Sequence, residues 1–370
     1  MSLKKILHTI TIRKVSFSKL ILLLWPFYQL SRIPDTRLYF LDLLLLAGVV
    51  LGFKRLGKSR FLLKPLILFL SLASFSLFLA FTSGSGSLIA LLYLFRLFLY
   101  SSLLFISLPK GSSSLLQKSF FLVPILGLIQ YLLLPDLRLL KLIGYDDHYF
   151  RLAFPFLDPN YTGAVLSFII LYSLRNFKKV KQRKLTTVLL ILSTIALALT
   201  FSRASYLSLL VGAAYLFLKD KKARLVIPAV IIAVLSLVLL TPKPFGEGVN
   251  LKRTFSIHSR LSNIKTQINT FVEKPILGRG YNTLPFEVSN HASAGADNSL
   301  IFILSTTGLI GLTSFIILLS KIWQTTRSRP YLQAGLLSLL VHSLFNNTLF
   351  YAPITILVLL VVNLSVRNQP

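Results

Sequence analysis

Apolar runs close to the ~20 residues an α-helix needs to cross a bilayer recur along the whole chain. They predict about twelve transmembrane helices, at 20–31, 38–53, 65–82, 87–108, 119–134, 160–175, 185–201, 203–218, 225–241, 298–320, 331–346 and 350–366. Lys4, Lys5, Arg13, Lys14 and Lys19 precede the first run, as in a signal peptide, but Tyr28-Gln29-Leu30-Ser31-Arg32 offers no small-residue cleavage site. That run reads as an uncleaved anchor. The fold class expected is therefore all-α and polytopic.

Composition agrees with the pattern. Of 370 residues, 54% are hydrophobic and the mean hydropathy is +0.74, more apolar surface than a water-soluble core can hide. Forty Lys and Arg against eleven Asp and Glu give a net charge of +29, yet charged residues make up only 14% of the chain. A nucleic-acid binder with that excess would be charged throughout, so the basic balance is assigned to membrane-facing loops. The absence of cysteine removes disulfides and thiolate chemistry.

Twelve spans with both termini inside place the densest basic runs, 54–64, 110–118, 175–184, 219–224 and 321–329, on the cytoplasmic face of a plasma or inner membrane. The acids, not used to set that orientation, support it. Asp35, Asp42, Asp136, Asp146, Asp147, Asp158, Glu247, Glu273, Glu287 and Asp297 all fall outside or at the outer boundary, and only Asp220 falls inside. The outer side also carries the two long polar loops, 135–159 and 242–297, so chemistry is expected at the outer leaflet. The chain divides into N-terminal spans (1–134), a central region holding both loops (135–320) and C-terminal spans (321–370).

Four outer stretches hold candidate chemistry. The first runs from Arg151 to Asn160, where Asp158 and Pro159 form a helix start and Asn160 joins them structurally. In the second, Ser202 is placed to cap the helix that Arg203 opens, so a guanidinium stands at a terminus that already favours an anion. An interfacial arginine reaching for headgroups has the same signature. In the third, Leu261, Ile264, Ile268, Phe271 and Val272 recur at helical spacing between His258 and Val272, with Arg260, Asn263, Lys265 and Gln267 largely turned away. Such an amphipathic helix fits along a membrane surface. Pro275 ends it, and Gly278-Arg279-Gly280 makes a tight turn.

The fourth stretch is Asp297-Asn298, where the loop re-enters the membrane. Asp297 serves there as a helix cap or as a base for a sugar hydroxyl, with His291 as a second candidate base and Asn298 structural. Asp146-Asp147-His148 reads as a solvated turn, because three adjacent residues cannot complete a metal coordination sphere. No metal site and no cofactor are expected. Arg96, the one charge deep in a span, has no role assigned from sequence.

The order of these motifs resembles the O-antigen ligase and polymerase superfamily. The likeness rests on Arg151-x-x-x-x-Phe156-x-Asp158-Pro159-Asn160, Ser202-Arg203, the Arg260-led helix closing on Lys274-Pro275-Ile276-Leu277-Gly278-Arg279-Gly280, then Asp297-Asn298 and Thr307-Gly308-Leu309-Ile310-Gly311. It covers roughly residues 145–320, with Leu340 to Phe345 similar to the family's closing spans.

The resemblance implies a membrane glycosyltransferase whose donor is a polyprenyl-diphosphate-linked glycan, acting on a glycan or lipid acceptor without a metal. It implies that Arg203 and Arg260 hold the donor diphosphate, with Arg151 and Arg279 as further candidates. The family's histidine before the asparagine is Asp297 here, which leaves the base open between Asp297 and His291. Ile264 replaces the usual aromatic, and Arg279 stands where a small apolar residue is usual. A transporter or flippase for a lipid-linked glycan or small anion is the competing reading, and a non-catalytic envelope scaffold is a third. A transporter needs polar groups near mid-membrane, whereas those of this chain gather at its outer surface.

Overall fold

Among the described residues each of the twelve apolar runs coincides with a helix, and a further α-helix lies in the long loop. In the computed structural model the described residues are 17–33, 36–52, 60–178, 180–242, 246–284 and 295–367. The helices are α1 (Phe17–Phe27), α2 (Phe40–Gly52), α3 (Arg60–Thr82), α4 (Leu88–Ser101), α5 (Ser112–Leu133), α6 (Pro159–Ser173), α7 (Val180–Leu199), α8 (Arg203–Lys219), α9 (Ala223–Leu240), α10 (Phe255–Glu273), α11 (Ser299–Thr325), α12 (Pro330–His342) and α13 (Ala352–Arg367). No strand occurs among the described residues beyond two isolated bridges, Arg32 with Tyr39 and Asp136 with Tyr149. By length and composition, five helices can cross a membrane: α3, α5, α7 over Gln182–Leu199, α9 and α11. The count of twelve crossings remains an expectation of the sequence. His291 and Glu287 lie outside the described residues.

The centre of the bundle is α6, buried at every position from Thr162 to Ser173. It packs against α7, α8 and α12, and α12 also packs against α8. A small residue makes that last approach possible: a Cβ at Gly212 would stand 2.8 Å from the Ala334 carbonyl oxygen. Around this centre, α3, α5 and α9 present large apolar side chains outward, among them Phe78, Leu132 and Leu239. A water-soluble protein would hide these side chains, and a lipid-embedded one has no need to.

Arg96 finds its explanation in the fold. It is buried, and its Nε donates to Asp42 Oδ2 at 2.7 Å while its Nη2 donates to the Arg37 carbonyl. Tyr28 and Tyr100 hydroxyls donate to Asp42 Oδ1 at 2.8 and 2.9 Å, and the rings of Tyr39 and Tyr93 lie 5.0 and 5.2 Å from the guanidinium carbon. A buried charge persists only when paired, and here Asp42, a carbonyl and two aromatic rings pair it. It ties α4 to α2.

The Gly278-Arg279-Gly280 turn is a packing element. Gly278 (φ +70°) and Gly308 (φ +68°) meet where α11 kinks: a Cβ on the first would lie 2.3 Å from the Thr306 carbonyl carbon, and one on the second 2.2 Å from the Ile276 oxygen. Backbone N–H groups of Arg279 and Gly280 donate to Ser305 and Thr306 at 3.0 Å each, and that of Leu309 donates to Pro275 at 2.9 Å. Ser76 of α3 closes the latch by donating to the Leu277 and Thr306 carbonyls at 2.8 and 2.6 Å. The end of the long loop is thus fixed to the interior of α11.

Candidate active site

Two capped helix starts form the floor of the site. Asp158 Oδ1 accepts from the N–H groups of Asn160 (2.6 Å) and Tyr161 (3.2 Å), capping α6. Ser202 caps α8 through Ser205 N–H, and its hydroxyl donates to Asn160 Oδ1 at 3.0 Å. Both structural roles expected for these residues are present, and the Asn160–Ser202 bond joins the two helix starts. The positive ends of two helix dipoles are thereby placed side by side.

Arginines gather above this floor. Arg203 donates from Nη1 to the Leu251 carbonyl at 3.1 Å and from Nη2 to Ser256 Oγ at 2.8 Å. Ser256 lies one turn before Arg260 on α10, and the Arg203 and Arg260 guanidiniums stand near enough to repel. Arg260 Nη2 donates to Asn346 Oδ1 at 3.2 Å. Arg151 is buried; its Nε donates to the Thr200 carbonyl at 2.9 Å, and its Nη2 is buried without a partner. Arg279 sits apart from these contacts, half-buried in the latch, with its backbone N–H on Ser305.

The charges perturb one another. Burial lowers the Arg151 guanidinium to about 10, and Arg253 adds to the effect while Asp158 opposes it. Burial also lowers Arg260, with Arg203 adding and Asp297 and Asp158 opposing. The Asp297 carboxyl is raised by burial and by Asp146 and Asp158, against the pull of Arg260. His148 is pushed down to about 4, first by burial and then by Arg151, and its buried Nε2 has no partner. Asp158 acts on all four groups of this cluster.

Helix α10 is the lid, and its polar stripe faces inward. Ser256, Arg260, Asn263 and Gln267 recur at intervals of four, three and four, and each meets the bundle: Arg203, Asn346, the 295–297 backbone and Ser305 in turn. The opposite stripe, Ile257, Leu261, Ile268 and Val272, is exposed. The helix predicted over 258–272 is therefore present over Phe255–Glu273, with its apolar face turned out from the protein.

Asn263 brackets the loop's return, accepting from Asp297 N–H at 2.9 Å and donating to the Gly295 carbonyl at 2.8 Å. The cap of α11 is Asn298, whose Oδ1 accepts from Leu300 and Ile301 N–H at 2.8 and 3.1 Å. This corrects the capping alternative for Asp297. Its carboxylate makes no hydrogen bond with a described residue.

Sequence reasoning missed three members. Arg253 donates to the Gly248, Asn250 and Phe201 carbonyls, holding the loop over Arg151, and belongs to no motif. Asn346 and His342 lie far along the chain. The Asn346 amide donates from Nδ2 to His342 Nε2 at 3.5 Å, and His342 Nδ1 meets Thr348 Oγ1 at 2.7 Å. With Arg260 on Asn346 Oδ1, this chain of contacts fixes which way the amide faces. Among the described residues no three His, Asp or Glu side chains gather to hold a metal ion.

Residues 188–316 match the family model for O-antigen ligase. The motif resemblance to the O-antigen ligase and polymerase superfamily holds. The matched O-antigen ligase region runs from α7 into α11 and contains Arg203, Arg260, Asn263 and Asp297, while Arg151, Asp158, His342 and Asn346 reach the same bowl from outside it. No curated protein matches the chain.

Proposed function

We propose that this O-antigen ligase-type protein transfers or polymerises a glycan from a polyprenyl-diphosphate donor onto an acceptor hydroxyl at the outer leaflet, with inversion and without a metal. The observation that carries the reading is the convergence of Arg203 and Arg260 beside two helix N-termini. A diphosphate leaves only if its growing negative charge is held, and guanidiniums bind phosphate oxygens bidentately.

In this reading the acceptor oxygen bonds to the anomeric carbon as the carbon–oxygen bond to the diphosphate breaks. Inversion follows, because the incoming hydroxyl approaches opposite the leaving group. Arg203 and Arg260 grip the departing diphosphate, and the free Nη2 of Arg151 supplies a further donor. Arg279 is retained as an outer contact. Asp297 takes the hydroxyl proton; its carboxylate, which has no hydrogen bond to a described residue, and its raised pKa suit a base, and His291 is the alternative. The lipid tail lies between spans, under the exposed apolar stripe of α10. Both termini face the cytoplasm and all twelve apolar helices cross.

The experiment is purified protein in vesicles with a polyprenyl-diphosphate-linked glycan. The reading expects elongated or transferred glycan together with released polyprenyl diphosphate. Movement of intact donor between leaflets with no product would replace it with the transporter reading.

A further inference from the structure

At the end of the bundle opposite the arginine bowl lies a cavity of about 310 Å³. Its position follows from chain direction. Arg175 comes just after α6, Asp220 just after α8, and Arg329 just before α12, and all three helices have their other ends at the bowl. The cavity therefore belongs to neither the lid nor the candidate donor site.

Two arginines line it, and neither forms a salt bridge with a carboxylate of the described residues. Arg175 Nη2 donates to Ser113 Oγ at 3.1 Å, and its guanidinium carbon sits 3.8 Å from the centre of the Tyr172 ring. No hydrogen bond is made by the Arg329 side chain to a described residue; burial lowers the guanidinium, and Arg175 adds to the effect. Asp220, the one carboxylate in the wall, is occupied with Lys222 N–H at 3.0 Å and with the Tyr331 hydroxyl. The first turn of α12 points here as well, and its N-cap, Arg329, provides no side-chain cap. An uncapped helix N-terminus beside two such guanidiniums attracts an anion, and the Arg fork selects oxygens with phosphate geometry.

The walls say what kind of anion. Val361 and Leu364 of α13 contribute apolar lining, and Ser113 and the arginines contribute polar lining. The volume is at the small end of ligand pockets, which span roughly 300–1,000 Å³, enough for a headgroup. We propose that this cavity binds a phosphate ester, carried by an anionic phospholipid or free in solution. Pairing with phosphate relieves the repulsion between Arg175 and Arg329 and braces α6, α12 and α13 at this end.

The test uses the full chain purified in a neutral detergent, with its thermal unfolding midpoint read in phosphatidylglycerol, in zwitterionic phosphatidylcholine, and in glycerol 3-phosphate at matched ionic strength. Phosphatidylglycerol should raise the midpoint by several degrees more than phosphatidylcholine. Arg175→Gln and Arg329→Gln should lose that increment, whereas Arg327→Gln, an exposed residue beside the cavity, should keep it. A rise with phosphatidylglycerol alone identifies a lipid headgroup, and a rise with glycerol 3-phosphate too identifies the phosphate ester itself. Equal increments in wild type and both arginine variants, or no increment with either anion, overturn the proposal. Should the glutamine variants fail to fold, Arg329→Lys together with native mass spectrometry of the wild type decides it. One retained anionic adduct, weakened severalfold by lysine, supports the site, and none refutes it.

Discussion

Arg203 on α8 and Ser256 on α10 are joined by a 2.8 Å hydrogen bond across 53 residues of sequence, and that contact seats the lid helix over the candidate site one turn from Arg260. The bond brings the two arginines singled out by motif to one place. Together with the bond from Nη1 to the Leu251 carbonyl, it fixes the Arg203 fork in a planar orientation that an ammonium cannot reproduce.

Arg203→Lys should therefore reduce glycan transfer by about 10-fold or more, and Arg203→Gln by about 10²–10³-fold, the usual cost of removing one donor to a developing oxyanion. Quantifying product in reconstituted vesicles, normalised to folded protein, checks both. Near-normal transfer by the lysine variant would leave Arg203 only a structural contact to α10.

Asp297→Asn should lower the rate by about 10²–10⁴-fold if the carboxylate takes the acceptor proton. Helix capping is not at stake, because Asn298 caps α11. The same residue sets a pH dependence. Protonated Asp297 cannot accept a proton, so activity falls as pH drops through its pKa, which burial, Asp146 and Asp158 hold above the ordinary aspartate range. Arg260 pulls that pKa down, so Arg260→Gln should move the acid limb of kcat/KM to higher pH. A limb left in place in Arg260→Gln and lost in His291→Gln would transfer the role of base to His291.

Gly278→Ala and Gly308→Ala should each destabilise by at least about 2 kcal/mol, since a methyl group must occupy backbone space at positive φ. Gly84 also has positive φ, yet nothing lies within 4 Å of its Cβ site, so Gly84→Ala should cost only about 1–2 kcal/mol. Fluorescence-detected size-exclusion melts of the three variants separate strain from collision. Equal losses at all three positions would mean the latch contributes nothing beyond φ.

Arg96→Met should cost about 2–4 kcal/mol by leaving the mostly buried Asp42 carboxylate with its two tyrosine hydrogen bonds but no opposite charge. Adding Asp42→Leu should recover much of that loss, because the uncompensated charge goes with it. Thermal melts of both variants check the sign, and a double variant no more stable than the single would show that the pair is not the source of the cost.

Much of this was legible in the sequence because it is local. Apolar runs gave the helices, and Asp158, Ser202 and Asn298 cap as their positions next to a span require. The sequence shows the polar residues of α10 opposite its apolar stripe, but not that the polar side meets the protein. Asn346 and His342 were illegible because their partner Arg260 lies more than 80 residues earlier and no spacing rule connects them. Arg253 was missed for another reason: it binds backbone carbonyls, which carry no residue signature. The Gly278–Gly308 latch likewise joins two loop signals that become one feature only when the chain folds.

The central claim is that Arg203 and Arg260 grip one diphosphate, and equilibrium binding of a polyprenyl diphosphate without its glycan isolates that step from chemistry. Titrations of wild type, Arg203→Gln, Arg260→Gln and the double variant should show each single change weakening binding by about 10-fold or more, the scale of a lost charge-assisted contact at ~1.5–3 kcal/mol. The double variant should lose less than the product of the two, because each single change already removes the cooperation between the two guanidiniums on the same ligand. Unchanged affinity in both single variants would contradict the account.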